Sequence, residues 1–213
     1  MNFRYGKKEM EYLKSRDRRL GEVIDQIGRI RWTVEPDLFS AIVQNIVSQQ
    51  ISGSAAASIL GRIEDVLGEI TPEIVAKTDV QVFRSCGVSL RKTEYIKDFA
   101  AKVVSGALDL DALAKMPDSD VIAVLSSLRG IGVWTAEMLL LFTLQRPDIL
   151  SYGDLGIHRG MRMVYRHRKI TKALFEKYRR RLSPCGSVAS FYFWMVAGGE
   201  IPELTDPISI RSV

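Results

Sequence analysis

The sequence has little cysteine, little histidine and no long apolar run. Two cysteines, Cys86 and Cys185, cannot supply a four-thiolate zinc site or hold an iron–sulfur cluster. They permit one disulfide without suggesting it, and so low a count suits a reducing compartment. Two histidines, His158 and His167, match no metal-binding spacing. The longest apolar run near the centre, Met138 to Phe142, has five residues, against the ~20 that a membrane span needs. The N-terminus, MNFRYGKKEMEYLKSRDRR, lacks the apolar stretch of a secretory signal. No glycine-rich nucleotide loop, low-complexity linker or tandem repeat occurs. These absences set aside cluster chemistry, zinc chemistry and membrane insertion. They predict a soluble, cytoplasmic protein, nucleoid-associated if its source is bacterial.

What is present is ordinary globular material with a basic bias. The chain has 213 residues, 46% hydrophobic and 26% charged, enough to bury its own core. Thirty Lys+Arg against 25 Asp+Glu give a net charge of +5. The sequence pI of about 9.2 permits a polyanion partner without establishing one. Basic residues cluster at Arg162, Arg166, His167, Arg168 and Lys169, and again at Lys177, Arg179, Arg180 and Arg181. A solvated helical face accounts for such runs as readily as a nucleic-acid surface does.

The periodicity is helical almost throughout. Leu38, Phe39, Ile42, Val43, Ile46 and Val47 form one apolar stripe. Ser52 to Leu67 continues the pattern, with Ala55 to Ala57 suited to close helix packing. Thr71-Pro72-Glu73 starts a helix. Ser89 caps another, which runs to Gly106. Asp118 is expected to cap the helix that ends at Gly130-Ile131-Gly132. A strongly apolar helix, Val133 to Leu144, follows. Further helices are expected from Leu155 to Arg166, between Thr171 and Ser183, and from Ser187 to Ala197. The fold class is therefore all-α, about ten helices in two lobes with a cleft between them, forming a single domain over residues 1–213.

The turn Leu128-Arg129-Gly130-Ile131-Gly132 between two helices is the most informative stretch. Glycines permit backbone angles closed to other residues and let another backbone approach. The helix that begins at Val133 presents unpaired N–H groups and a positive dipole end, an arrangement that suits a phosphate. Ile131 is expected to point inward. The pattern, over about residues 120–144, looks like a helix-hairpin-helix; a tight αα turn with a glycine cap is the alternative.

Several motifs together carry a wider resemblance. They are Ile46-Val47-Ser48-Gln49-Gln50-Ile51-Ser52 with Ala55-Ala56, Cys86-Gly87-Val88-Ser89 with Lys92 and Tyr95-Ile96, and the hairpin with Trp134-Thr135-Ala136-Glu137-Met138. Arg146-Pro147-Asp148, Gly153-Asp154-Leu155-Gly156-Ile157 and Ser187 to Trp194 follow in order. Over about residues 34–200 the chain resembles the helix-hairpin-helix DNA glycosylase superfamily, and within it the DNA-3-methyladenine glycosylase II (alkylpurine) branch. It looks like the compact form, without the N-terminal β domain of larger relatives.

The resemblance implies an enzyme of base excision repair. It would hydrolyse the N-glycosidic bond of alkylated purines such as 3-methyladenine and 7-methylguanine in duplex DNA. The family's catalytic aspartate stands about twenty residues past the hairpin at a helix start, where this chain has Asp154. An aspartate before a helix is also a good N-cap. Many relatives carry a second acidic residue just before it; here that position is Gly153. Relatives that also nick the strand use a lysine after the hairpin, and the matching position is Trp134. The resemblance therefore implies a monofunctional enzyme without lyase activity.

It also places Trp134 in the base pocket, with Trp32, Tyr192 and Trp194 as further candidates. Gln50 and Ile51 would fill the gap left by a flipped nucleotide. Arg129, Gly130, Ile131, Gly132, Val133, Thr135 and Lys92 would meet the DNA backbone. No cofactor is required, although the family's hairpin can hold a monovalent cation (Na or K) on backbone carbonyls, here Ser126, Leu128 and Ile131. The expected partner is damaged duplex DNA, bound by a monomer with no membrane involved. The alternatives are a non-catalytic damage-binding protein of the same fold and a glycosylase for another base lesion.

Overall fold

The computed structural model describes residues 1–208. Among them the chain is all-helical, with one isolated bridge between Asn2 and Thr33. The helices are α1 (Lys7–Arg16), α2 (Arg18–Ile27), α3 (Leu38–Ser48), α4 (Gly53–Leu67), α5 (Pro72–Lys77), α6 (Val80–Ser85) and α7 (Leu90–Val104). They continue as α8 (Leu110–Leu113), α9 (Asp118–Ser127), α10 (Val133–Phe142), α11 (Leu155–Tyr165), α12 (Lys172–Leu182) and α13 (Gly186–Gly198). Ten of them have ten or more residues, and the short α5, α6 and α8 make up the thirteen. None of these helices is long and apolar enough to cross a membrane.

The chain forms two compact units. One is Glu35–Leu144; the other joins Met1–Val34 to the chain from Gln145 onward. In the first, α3 buries the stripe read from the sequence, Leu38, Phe39, Ile42, Val43, Ile46 and Val47, together with Ala41. The capping signals act as written. Thr71 accepts from Ile74 N–H and Ser89 from Lys92 N–H, satisfying donors that a helix start leaves unpaired.

Three local expectations fail. Asp118 is the first residue of α9, and Pro117 occupies the cap position with extended ψ of 149°; the Asp118 carboxylate therefore lies in the first turn, where it still favours the helix dipole. Ala55 and Ala57 are exposed, because α4 buries only the narrow face of Ala56 and Ile63. Helix α10 stops at Phe142, with Thr143 as its cap.

The second unit is organised around α13. It buries residues on every side, including Val188, Phe191, Tyr192 and Phe193, as a helix apolar all round must. Gly160 of α11 lets that helix lie directly on it: a Cβ there would come within 2.1 Å of the Phe193 carbonyl oxygen. The extended N-terminal residues add Phe3, which meets Phe191 edge-on at 5.0 Å, and Tyr5, which is also buried.

Polar side chains fix the approach to α11. Ser187 Oγ donates to the Arg146 carbonyl at 2.5 Å and accepts from Ile149 N–H at 2.9 Å. Asp148 accepts from Gly186 N–H and from the Ser183 hydroxyl. Residues 146–149 are thereby held against the start of α13, just ahead of Asp154. Elsewhere in this unit Asp17, 4% exposed, caps α2 and pairs with Arg181 at 2.8 Å. Both cysteines are free and buried.

Candidate active site

Asp154 is a buried carboxylate, 7% exposed, at the start of α11. Its Oδ1 accepts Ile157 N–H at 2.7 Å and the indole N–H of Trp194 at 3.0 Å. The first bond is the expected N-cap. The second points to more than capping, since it comes from α13, forty residues along the chain. Gly156 makes the contact possible: a Cβ there would sit 2.9 Å from Trp194 Cδ1 and 3.1 Å from Asp154 Oδ1. In the sequence Gly156 is only a small residue in a first helical turn, so this role has no local signal.

Aromatic rings adjoin the carboxylate. Half-buried Trp194 lies 5.6 Å from Trp32, which stacks on Phe191 at 5.2 Å and 10°. Two pocket candidates, Trp32 and Trp194, are thus brought together with Asp154. Tyr192 is not. It is fully buried, its hydroxyl donates to the Gly28 carbonyl at 2.9 Å, and burial drives its pKa up. Two residues along a helix is a turn of ~200°, so Tyr192 faces the core when Trp194 faces outward. On the loop before Asp154, Tyr152 packs edge-on against His158 and Phe175.

In the other unit α9 and α10 flank the glycine turn. Ile131 is 5% exposed and anchors it inward, as expected. Gly130 has φ of +87°, and a Cβ there would strike the Tyr95 ring at 2.5 Å. Glycine is therefore required twice over, by conformation and by the ring beneath it. Gly132 is extended, and a Cβ on it would meet nothing within 4 Å. It provides no side-chain cap for α10, unlike the Asp, Ser and Thr residues that cap α2 to α8, α11 and α12. Val133 and Trp134 are exposed and Thr135 partly so. With 49% exposure, the Trp134 indole is a surface group rather than core. Arg129 is exposed too, its guanidinium 5.1 Å over the Tyr95 ring and 3.9 Å from Glu94.

The α3–α4 turn separates its two glutamines. Gln49 is tethered, its Nε2 donating to the Gly130 carbonyl at 2.6 Å. Gln50 is exposed with φ of +58°, followed by exposed Ile51. Lys92 departs from its expected place on the DNA backbone. Its ammonium donates to the carbonyls of Val47 at 2.8 Å and Gln49 at 2.6 Å, and desolvation lowers its pKa. It caps the end of α3, whose last carbonyls need donors. The basic clusters divide likewise. Arg162 makes a two-point pair with Asp206 and Arg181 pairs with Asp17, while Arg166, Arg168, Lys169, Lys177 and Arg180 are exposed.

No His, Cys, Asp or Glu cluster among the described residues could hold a metal. The hairpin carbonyls are a different donor set. Ser126 lies in the last turn of α9, and the Leu128 carbonyl accepts Ile131 N–H at 3.1 Å.

Residues 43–185 match the HhH-GPD superfamily of base excision DNA repair proteins. The chain belongs to that superfamily. It is 30% identical to DNA-3-methyladenine glycosylase 1 of Schizosaccharomyces pombe, over 90% of this chain and 85% of that protein. A DNA-3-methyladenine glycosidase structure from Bacillus halodurans superposes with a TM-score of 0.85 at 34% identity, covering 95% of both chains. The S. pombe glycosylase Mag1, solved in complex with abasic DNA, gives a TM-score of 0.77 at 27% identity, covering 93% of this chain and 99% of that one. The HhH-GPD match contains Asp154, the hairpin and the α3–α4 turn, whereas Trp32 and Trp194 lie outside it.

Proposed function

We propose that this chain is a monofunctional DNA-3-methyladenine glycosylase that removes alkylated purines from duplex DNA, one chain acting on one lesion. The observation that carries the reading is the Asp154 carboxylate, fixed by two N–H donors beside the Trp194–Trp32 surface. The relatives support the reaction class, and the geometry supports the roles given to these residues.

The bond that breaks joins C1′ of the deoxyribose to the purine nitrogen. Alkylation at N3 or N7 makes the purine cationic, so it departs with the bonding electron pair as a neutral base. Positive charge moves to the sugar as it leaves. Asp154, held in a largely dry site, stabilises that charge where Coulomb interactions are poorly screened. Water then adds to C1′, its proton passes to the Asp154 carboxylate or to solvent, and an abasic sugar remains. The position used for a Schiff-base lysine is Trp134, which has no nucleophile, so no covalent intermediate forms.

The other residues bind and open the duplex. Backbone N–H groups at Gly132, Val133 and Thr135 and the Arg129 guanidinium meet phosphates. Gln50 and Ile51 enter the stack in place of the flipped nucleotide. Trp32 and Trp194 offer indole faces to a cationic base, an attraction worth ~0.5–2 kcal/mol, and Trp134 exposes another indole. The carbonyls of Ser126, Leu128 and Ile131 are neutral oxygen donors, which suit Na or K better than zinc. Ser126 is among the carbonyls a helix end leaves unpaired, and Leu128 keeps a second lone pair beside its bond to Ile131. Such an ion would add positive charge beside a phosphate.

The test is direct. Incubated with methylated duplex DNA, the chain releases free 3-methyladenine and 7-methylguanine and leaves unbroken strands carrying abasic sites. A borohydride-trapped adduct contradicts the monofunctional assignment. DNA binding without base release, across ethenoadenine and hypoxanthine as well, would make the chain a damage sensor.

A further inference from the structure

The α3–α4 tip is held in a conformation that its own sequence disfavours. Gln50 sits at φ of +58°, in the left-handed region that residues with side chains rarely adopt. Exposed Ile51 follows it. Such backbone persists where the surroundings over-determine it. Two side chains do this. Lys92 gathers the carbonyls of Val47 and Gln49 on its ammonium. Gln49 donates its amide N–H to the carbonyl of Gly130, eighty-one residues away, at 2.6 Å. Gly130 in turn rests on the Tyr95 ring, too close for any Cβ. Lys92 and Tyr95 are three apart on α7 and so share one face of it. One helix face therefore supports both the tip and the hairpin, and the Gln49 amide joins the two.

We propose that Gln49 is a positioning residue, registering the Gln50–Ile51 tip against the glycine hairpin so that gripping the DNA backbone also places the wedge. This rests on the glycosylase reading above. Gln49 touches no reacting atom. Its amide donates to a carbonyl that would otherwise lack this partner, and its own carbonyl is fixed by Lys92. Opening of the base pair is therefore coupled to backbone binding through the Gln49 hydrogen bond, which acts beside the shared α7 face. A carboxylate of the same shape has no proton to donate and would face the Gly130 carbonyl as a second acceptor. Gln49→Glu thus removes the link with no change in side-chain size, and Gln49→Asn shortens the reach by one methylene.

The experiment places 2-aminopurine beside a methylated purine in duplex DNA and follows fluorescence as the full-length chain is added. It also measures single-turnover excision from that duplex and from a single strand carrying the same lesion, where no wedge is needed. Gln49→Asn, which adds no charge, should bind undamaged duplex as wild type does, since that affinity comes from phosphate contacts. Gln49→Glu adds a negative charge beside the hairpin and is compared at saturating protein. Both should lose fluorescence enhancement and duplex excision on the order of tenfold, while single-strand excision stays at the wild-type rate. Equal losses on duplex and single strand overturn the proposal, because a residue needed only for folding lowers both. Wild-type fluorescence and wild-type duplex excision in both variants overturn it as well. Melting temperatures identify a variant that has lost its fold, and the second variant then decides. If wild type opens the duplex yet releases no base, the glycosylase reading falls, and the fluorescence comparison still judges Gln49.

Discussion

Gly156→Ala tests whether the Asp154–Trp194 contact matters for chemistry. The added Cβ would stand 2.9 Å from Trp194 Cδ1, 3.2 Å from its Nε1 and 3.1 Å from Asp154 Oδ1. Carbon atoms pack best at ~3.5–4.0 Å, so the shortfall at Cδ1 is roughly 0.6 Å or more. The indole must shift away, stretching a 3.0 Å bond past the ~3.2 Å at which such bonds hold. A lost hydrogen bond to a charged group costs ~1.5–3 kcal/mol. Alanine in a helix returns up to ~1 kcal/mol relative to glycine. The net stability loss is therefore ~0.5–2 kcal/mol, small enough to leave the fold intact. Activity should fall further, because a carboxylate misplaced by ~1 Å costs up to ~10²-fold in rate. Urea unfolding and single-turnover release of methylpurine measure the two effects separately. A folded variant that excises at the wild-type rate refutes the reasoning. So does a rate loss fully explained by weaker DNA binding.

Three further expectations follow from the placement of charge and aromatic surface. Arg129→Ala should flatten the salt dependence of DNA binding by about one phosphate contact, whereas Lys92→Ala should leave the slope unchanged and lower stability by ~1–3 kcal/mol through the orphaned carbonyls; fluorescence anisotropy across a salt series and urea unfolding read both. Trp134→Ala should weaken excision of cationic bases by the ~0.5–2 kcal/mol of one cation–π contact and spare neutral hypoxanthine, a pattern that competing-substrate kinetics will show or deny. Arg162 holds the Asp206 carboxyl below its ordinary value of 3.8, so this pair stabilises the fold above that value. The contribution disappears as pH falls through the depressed folded value. Asp206→Asn should therefore be less stable at neutral pH by ~1.5–3 kcal/mol, with the gap closing in acid; a constant gap in urea titrations across the acid range would contradict the assignment.

Local signals carried most of the helices. The stripe along α3 and the caps at Thr71, Ser89 and Asp154 could be read because periodicity and capping act within four residues. The inward Ile131 could be read because glycines flank one apolar residue. What was hidden is set by distant packing. Nothing near Tyr192 distinguishes it from Trp194, yet one faces the core and the other the carboxylate. Lys92 looks like any surface lysine until α3 ends beneath it. Ala55 and Ala57 suggest close packing, but no helix covers that side of α4 within its unit. Phe3 and Tyr5 precede a charged run and have no periodic partner, although both are core. Gln49, Gly156 and Tyr95 gain their roles only from contacts spanning 40 to 81 residues or from space that a Cβ would fill.

The most direct measurement compares Asp154→Asn with wild type in single-turnover release of 3-methyladenine from methylated duplex DNA. Asparagine keeps one oxygen for Ile157 N–H and Trp194 N–H, turns the other carboxylate oxygen into an amide NH2, and removes the charge. The expected result is a rate at least ~10²-fold lower, with a cooperative melting transition retained and affinity for abasic-site DNA at least that of wild type. Release by Asp154→Asn at the wild-type rate would contradict the account, because the sugar cation would then form without the anion assigned to it.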